Sequence, residues 1–135
     1  MVYFDTNVLV YAFAKNIDNK KQSKISTKLV ESVIANDILI LSEITLYEFA
    51  FVSRKIDENK KNIDDNLEFL STYLQSSDFS INQRVVEILK ETSLYISSFD
   101  IYHLAFAEYY KTRLITFDKG FKKLQDISKV EIIIK

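Results

Sequence analysis

The chain has 135 residues, of which 47% are hydrophobic and 27% are charged, and its formal net charge is −1. This composition is typical of one soluble globular domain spanning residues 1–135, and such a charge gives no global field that would attract nucleic acid. Because the chain has no cysteine and a single histidine, we exclude thiolate metal sites, a multi-histidine zinc site and a two-histidine ribonuclease mechanism.

Apolar runs and one-face helical spacing predict alternating strands and helices along the chain. The predicted order is a strand at Val2–Phe4, a helix at Thr6–Ala14, a polar connection at Lys15–Gln22, a helix at Ser23–Ala35, a strand at Asp37–Leu41, a helix capped by Ser42 that reaches about Lys55, a helix at Ile63–Ser76, a strand at Phe79–Ile81, a helix at Asn82–Tyr95 capped by Asn82, a helix at Asp100–Thr112, a strand at Arg113–Phe117, a short helix at Asp118–Leu124 and a strand at Val130–Ile134.

This alternation predicts an α/β fold in which a parallel sheet carries helices on both faces. In open sheets of this kind, functional sites form beyond the carboxyl ends of the strands. Asp5 and Asp118 each follow a predicted strand directly, Asp100 opens a predicted helix, and Glu48 lies inside one. The sequence therefore gives four acidic residues for which a role has to be found.

Each of these acids, taken alone, also has a purely structural explanation. An aspartate at a helix N-terminus is most often a cap that accepts backbone N–H bonds, which would account for Asp5, Asp100 or Asp118. Glu48 has mostly apolar neighbours and is the only charged residue between Glu43 and Arg54. Glutamate is seldom fully buried without a partner, so Glu48 either faces solvent or meets a polar group.

Taken together, the four acids favour a metal site. Carboxylates that converge at one end of a sheet repel each other unless some take up protons or a cation binds between them. Hard oxygen ligands favour Mg²⁺ or Mn²⁺, and carboxylates with open water positions suit metal-assisted hydrolysis of phosphoesters. Four nearby side chains are candidates to orient a carboxylate or a water, namely Thr6, Asn7, Ser42 and Thr116.

Four stretches that contain these acids resemble the PIN-domain nucleases, and most of all the small VapC-type toxins of type II toxin–antitoxin pairs. They are "VYFDTNVLVYAF", "LSEITLYEF", "SSFDIYHLAFAEYY" and "LITFDKGF", and they occur in the family's order along nearly the whole chain. By this resemblance, Asp5, Glu48, Asp100 and Asp118 match the family's acidic residues. Thr6 and Asn7 match its DTN start, and Thr116 matches the hydroxyl before the last acid.

The resemblance implies a three-layer fold with a central five-stranded parallel sheet, dependence on Mg²⁺ or Mn²⁺, and cleavage of RNA. It also implies a homodimer and a small antitoxin that covers the active groove. The chain departs from the family at Gly120, where many relatives carry a further acid. This departure puts a second metal ion in doubt.

We therefore predict a metal-dependent endoribonuclease that hydrolyses RNA phosphodiesters by metal-activated water, with Asp5, Asp100 and Asp118 as metal ligands and Glu48 completing the site. Lys119, Lys122 and Lys123 follow the last acid and are candidates to contact RNA phosphates. His103, three residues after Asp100, is interpreted as a packed and hydrogen-bonded side chain.

Three other classes of protein remain as alternatives. An RNA-binding module with a weak or inactive nuclease site would share the fold and the acids. An Asp-dependent phosphatase would need a second aspartate where Asn7 stands, and a receiver domain would need a further acid near the first strand. The chain has no apolar run of membrane-spanning length and no secretion signal, so we expect a cytoplasmic protein without a membrane partner.

Overall fold

The computed structural model describes residues 1–36, 38–93 and 95–135. Within these ranges the strands are β1 (Val2–Phe4), β2 (Leu39–Ile40), β3 (Arg113–Thr116) and β4 (Ile132–Ile134). The helices are α1 (Thr6–Phe13), α2 (Lys20–Ala35), α3 (Glu43–Lys55), α4 (Lys60–Ser71), α5 (Phe79–Glu91) and α6 (Ser98–Tyr109), with a 3₁₀ helix at Lys119–Leu124.

The strands form one parallel sheet in the order β2-β1-β3-β4. Phe4 pairs with Ile115, and Tyr3 pairs with Ile40, so the central strands end at nearly the same level. Because the strands are parallel, the chain leaves β1, β2 and β3 at the same edge of the sheet. This edge is where sites form in open α/β sheets.

Helices cover both faces of the sheet, which confirms the predicted α/β fold. Val2 and Phe4 face a core formed with α1 to α4, whereas Tyr3 faces a second core formed with α5, α6 and the 3₁₀ helix. This division follows from the strand period of two, which sends successive side chains to opposite faces. Among the residues that the structure describes, no helix is long and apolar enough to cross a membrane.

The sheet has four strands in the described ranges, where the resemblance implied five. The predicted strand at Phe79–Ile81 was wrong, because these residues begin α5. A three-residue apolar run cannot distinguish a strand from a helix start, and here the Asp78 side chain caps the helix through Ser80 N. The place of a fifth strand is taken by one parallel bridge between Leu41 and Leu74 beside β2.

The other differences concern the ends of elements, where local signals are weakest. Helix α2 begins at Lys20 because the Asn19 side chain caps it, so the polar connection is shorter than predicted. Helix α4 runs over Lys60–Ser71 and is capped by Asn59. Asp37 of the predicted second strand and Leu94 of the predicted Asn82–Tyr95 helix lie outside the described residues.

Two predictions about helix starts near the site have different outcomes. Ser42 caps α3, as predicted, because its hydroxyl accepts a bond from Thr45 N at 3.1 Å. Helix α6, in contrast, begins at Ser98, so Asp100 lies in its first turn and does not open it. A carboxylate in the first turn is favoured by the helix dipole without serving as the cap.

A buried ion pair joins α5 to α6 and to the C-terminal segment. Arg84 Nε donates to Glu108 Oε2 at 2.6 Å, and Arg84 Nη2 donates to the Ile127 carbonyl at 3.1 Å. The side chains of the pair, Arg84 and Glu108, are only 11% and 5% exposed, respectively. Removing one member of such a pair leaves the other charge buried and uncompensated.

We therefore expect Arg84→Met to lower the free energy of unfolding by about 3 kcal/mol, the lower end of the range for broken buried pairs. The matched control is Lys61→Met, which breaks an exposed pair with Asp65 and should cost less than about 1 kcal/mol. Urea denaturation of both variants measures the difference. Equal losses would contradict a stabilising role for the buried pair.

Candidate active site

The four predicted acids reach the same edge of the sheet from four different elements. Asp5 follows β1 and caps α1, and Asp118 follows β3 and caps the 3₁₀ helix. Glu48 lies in the middle of α3, and Asp100 lies in the first turn of α6. Their negative charges act on one another, as the pKa shifts described below show. These residues are called the acidic site here.

Asp5 lies at the buried end of the acidic site. Its Oδ1 accepts from Thr6 N at 2.7 Å, and its Oδ2 accepts from the Thr116 hydroxyl at 2.9 Å. Burial raises the pKa of Asp5, and the negative charge of Glu48 raises it further. The charge on His103 and the hydrogen bonds from Thr116 and Thr6 act to lower it. Asp5 is therefore both a helix cap and a carboxylate whose charge is costly in the metal-free protein.

Glu48 is held from two sides. Its Oε1 accepts from the Thr6 hydroxyl at 2.9 Å and from His103 Nε2 at 2.8 Å. Partial burial acts to raise the pKa of Glu48, but the bonds from His103 and Thr6 and the charge on His103 outweigh it, so the pKa is lowered. Glu48 thus stays ionised although its side chain is only 32% exposed.

Asp100 lies where burial and the neighbouring acids both disfavour its ionised form. Burial raises the pKa of Asp100 to about 6, with further contributions from the negative charges of Asp5, Asp118 and Glu48. The raised pKa means that this group resists ionisation while its neighbours remain charged. Such a perturbed carboxyl in a cluster is the usual mark of a functional site.

Asp118 is the most exposed of the four acids. Its backbone N–H donates to the Thr116 hydroxyl at 2.9 Å, and its Oδ1 accepts from Gly120 N at 2.8 Å. A Cβ atom added at Gly120 would lie 3.0 Å from that Oδ1. Glycine at this position therefore gives room for the capping carboxylate.

The donor chemistry of the acidic site suits a hard divalent cation, because all four candidate ligands are carboxylates. Among the described residues, however, no three acidic or histidine side chains stand close enough together to hold a metal ion as they are. The oxygens of Asp5 and Asp118 accept from local donors, namely the backbone N–H groups at Thr6 and Gly120 and the Thr116 hydroxyl.

The four supporting side chains predicted from the sequence lie in different settings. The Thr6 and Thr116 hydroxyls each donate to an acid of the site. Ser42 is buried and contacts the Tyr3 hydroxyl at 2.7 Å instead of a carboxylate. Asn7 is exposed in the first turn of α1. The three candidate RNA-binding lysines, Lys119, Lys122 and Lys123, are exposed on the 3₁₀ helix that Asp118 caps.

Sequence reasoning gave no role to Tyr3 and Thr45, and it interpreted His103 as packed and hydrogen-bonded without identifying its partners. In the structure, Tyr3 OH lies 2.6 Å from His103 Nδ1 and 2.7 Å from the Thr45 hydroxyl, directly behind Glu48. The signal that could have found this arrangement was a tyrosine in an otherwise apolar strand, two residues before an acid. A hydroxyl in such a strand needs a buried partner.

The fold and the site together define a parallel α/β protein with an acidic cluster beyond the carboxyl ends of its strands. The sequence profile of the PIN domain matches residues 2–127, and the chain therefore belongs to the PIN domain family. This confirms the family resemblance carried by the four acidic stretches. A search of the curated proteins finds no match to the chain.

Several solved structures share the fold. A chain in a toxin–antitoxin complex from Klebsiella pneumoniae is 22% identical, with a TM-score of 0.68 and 93% of each chain covered. A chain of VapBC2 from Rickettsia felis, bound to a DNA fragment from its promoter, is 22% identical with a TM-score of 0.71, covering 100% of this chain and 99% of that one. A chain of FitAcB from Neisseria gonorrhoeae is 21% identical with a TM-score of 0.68, covering 98% of this chain and 96% of that one. At sequence identities of 21–22%, this structural similarity establishes a shared fold and nothing further.

Proposed function

We propose that residues 1–135 form a single nuclease domain that cleaves RNA internally with Mg²⁺ or Mn²⁺, and that Asp5, Glu48, Asp100 and Asp118 carry the activity. The observation that supports this most directly is that Asp100 is partly buried beside three other carboxylates, so that burial first, and then the charges of Asp5, Asp118 and Glu48, raise its pKa to about 6. A cluster of this kind is costly without a cation and is suited to binding one.

Asp5, Asp100 and Asp118 would hold the cation, with Glu48 completing the site. The bound ion would neutralise charge on the scissile phosphate and lower the pKa of a water molecule. The protein's own residues orient this arrangement, because Thr116 fixes Asp5 and Thr6 fixes Glu48. His103 is only 1% exposed, so it cannot reach the ribose 2′-hydroxyl as a general base.

We further propose that the protein is the toxin of a type II toxin–antitoxin pair and acts in the cytoplasm. Support comes from the fold that it shares with chains of a toxin–antitoxin complex and of VapBC2. In this role it would form a homodimer, and a small antitoxin would cover the acidic site. Co-expression with the product of a short neighbouring gene, followed by purification as one complex, tests the pairing.

The nuclease activity is tested with an unstructured RNA in the presence of Mn²⁺ or EDTA. We expect cleavage in the reaction with Mn²⁺ and none in the reaction with EDTA. The products should carry 5′-phosphate and 3′-hydroxyl ends, because the attacking group is water and not the ribose 2′-hydroxyl. An Asp118→Asn variant purified in parallel controls for contaminating ribonuclease. Ends that carry a 2′,3′-cyclic phosphate would contradict the mechanism.

A second candidate function is an RNA-binding module with weak or no catalysis. It is favoured by one observation, that no three acidic or histidine side chains among the described residues stand as a ready metal site. RNA binding that is unaffected by Mn²⁺, with no cleavage, would support it. Hydrolysis of a small phosphomonoester in place of RNA would support the Asp-dependent phosphatase instead.

The exposed lysines of the 3₁₀ helix give a prediction about RNA affinity. Replacing Lys119, Lys122 and Lys123 with alanine should weaken the binding of all RNA sequences alike. The slope of log affinity against log salt should become flatter by about 0.7 for each phosphate of a single strand that the protein no longer neutralises. Filter binding at several salt concentrations measures both effects. The control replaces the exposed Lys60 and Lys61 of α4, and an equal change in slope there would assign the effect to net charge alone.

A further inference from the structure

Behind Glu48 lies a set of buried polar side chains that the proposed chemistry does not use. Tyr3, Ser42 and Thr45 are 0% exposed and His103 is 1% exposed. Burying polar groups is unfavourable unless each finds a hydrogen-bond partner. A run of four such groups between the sheet and α3 therefore needs an explanation beyond filling space.

The contacts among these groups form one connected network, in which the Tyr3 hydroxyl also lies 2.7 Å from the Ser42 hydroxyl. Ser42 donates to the Thr45 hydroxyl at 3.0 Å, and the Thr45 and Tyr3 oxygens lie 2.7 Å apart. Tyr3 OH lies 2.6 Å from His103 Nδ1, and His103 Nε2 lies 2.8 Å from Glu48 Oε1. The hydroxyls of Tyr3, Ser42 and Thr45 are therefore in mutual contact, and each can both donate and accept within the network.

The last two links fix the orientation of the imidazole ring. Glu48 is ionised and can only accept, so His103 Nε2 must carry the proton that it shares with the carboxylate. On the other side of the ring, Nδ1 is held by its hydrogen bond with the Tyr3 hydroxyl. Burial raises the pKa of Tyr3 far above its usual value, which keeps that hydroxyl protonated.

We propose that His103, held by Tyr3, is a positioning residue that fixes the Glu48 carboxylate in the acidic site. Together with the Thr6 hydroxyl, it confines Oε1 between α1 and α6. It also lies 4.0 Å from Asp5 Oδ1, so it spaces two acids of the site. This inference deepens the proposed function and rests on it, because a fixed Glu48 matters only if the acids act together.

A merely structural histidine would not need this arrangement. An apolar side chain would fill the same volume without burying ring nitrogens. In addition, the partner of Nε2 is not a core group, because the Glu48 side chain is 32% exposed. Partners that orient the groups around a metal site typically contribute about 10- to 100-fold to metal affinity or activity. That range sets the size of effect expected here.

The test compares His103→Met with His103→Gln, two unbranched side chains of similar size. Glutamine keeps an N–H donor for Glu48, whereas methionine has none. Calorimetric titration with Mn²⁺ in the absence of RNA should give an affinity about 10- to 100-fold weaker for methionine than for wild type, with glutamine close to wild type. RNA cleavage should follow the same order. Equal Mn²⁺ affinities for wild type and a folded methionine variant would overturn the proposal.

A measurement on the wild-type protein covers the case in which the methionine variant does not fold. His103 is the only histidine, so its ring nitrogens give a single set of ¹⁵N signals. Titration with Mg²⁺ should shift the Nε2 signal in wild type and leave it unchanged in Glu48→Gln. A wild-type signal that does not move, in a protein that binds Mg²⁺, would overturn the positioning role. A wild type that binds neither ion and cleaves no RNA would overturn the proposed function and this inference together.

Discussion

Asp5→Asn is expected to abolish RNA cleavage while making the metal-free protein more stable. Asparagine keeps an oxygen that accepts from Thr6 N, so the cap of α1 is preserved. It removes one negative charge from a group whose pKa is raised by burial and by Glu48. Relief of this repulsion should raise the free energy of unfolding in EDTA by about 1 kcal/mol.

Although Asp5→Asn should be more stable than wild type in EDTA, it should be stabilised less by added metal. A cation that binds only the folded state stabilises it by RT ln(1 + [L]/Kd), so Mn²⁺ should raise the melting temperature of wild type far more than that of Asp5→Asn. We expect cleavage to fall more than about 100-fold, beyond the effect of losing an indirect partner. Thermal melts of both proteins, each with EDTA and with Mn²⁺, measure the four values needed.

Asp78→Asn provides the matched control for this experiment. Asp78 caps α5 through Ser80 N at 2.9 Å and is fully exposed, so it shares the capping role of Asp5 and lacks its acidic neighbours. The control should leave the Mn²⁺ shift and the cleavage rate unchanged. If Asp5→Asn behaves like Asp78→Asn, then Asp5 is only a helix cap and the metal site lies elsewhere.

The sequence predicted that Asp5 and Asp118 follow strands, because the relevant signals are local. Asp5 and Asp118 directly follow apolar runs, and the parallel order of the strands brings such positions to one edge. The same reasoning failed at Phe79–Ile81, where three apolar residues fit a strand as well as the start of a helix. There the deciding contact was the bond from Ser80 N to the side chain of Asp78.

Local sequence patterns could not predict the hydrogen-bond partners of the acids. The apolar surroundings of Glu48 left solvent exposure and a polar partner both open. They could not identify Thr6 and His103, which are 42 and 55 residues away in the chain. Tyr3 and His103 are 100 residues apart and meet because β1 and α6 pack against each other. Such contacts depend on which faces of the elements meet, and this is fixed only by the whole fold.

Asp100 should make both the stability of the metal-free protein and its affinity for Mg²⁺ depend on pH. Its pKa is about 6 in the folded protein, against an ordinary value of 3.8. The folded state therefore holds the proton more tightly, so the stability of the metal-free protein should fall as pH rises from about 4 to about 6. Because a cation needs the ionised form, Mg²⁺ affinity should increase over this same interval and level off above it.

Asp100→Asn removes this dependence. In EDTA, the variant and wild type should have similar stability near pH 4, where the carboxyl is protonated. Near pH 7 the variant should be more stable by about 1–3 kcal/mol, since a shift of one pKa unit corresponds to about 1.4 kcal/mol and partial exposure reduces the effect. The variant should also lose more than about 100-fold in cleavage, as a direct ligand and not an indirect partner.

Urea denaturation in EDTA at several pH values measures the difference between Asp100→Asn and wild type. The control is Asp126→Asn, which changes an exposed aspartate in the turn after the 3₁₀ helix and should give a difference that does not vary with pH. A pH-independent difference for Asp100→Asn as well would mean that Asp100 ionises like an ordinary surface acid. In that case the four carboxylates do not share one electrostatic site, and the metal-dependent mechanism would lose its main support.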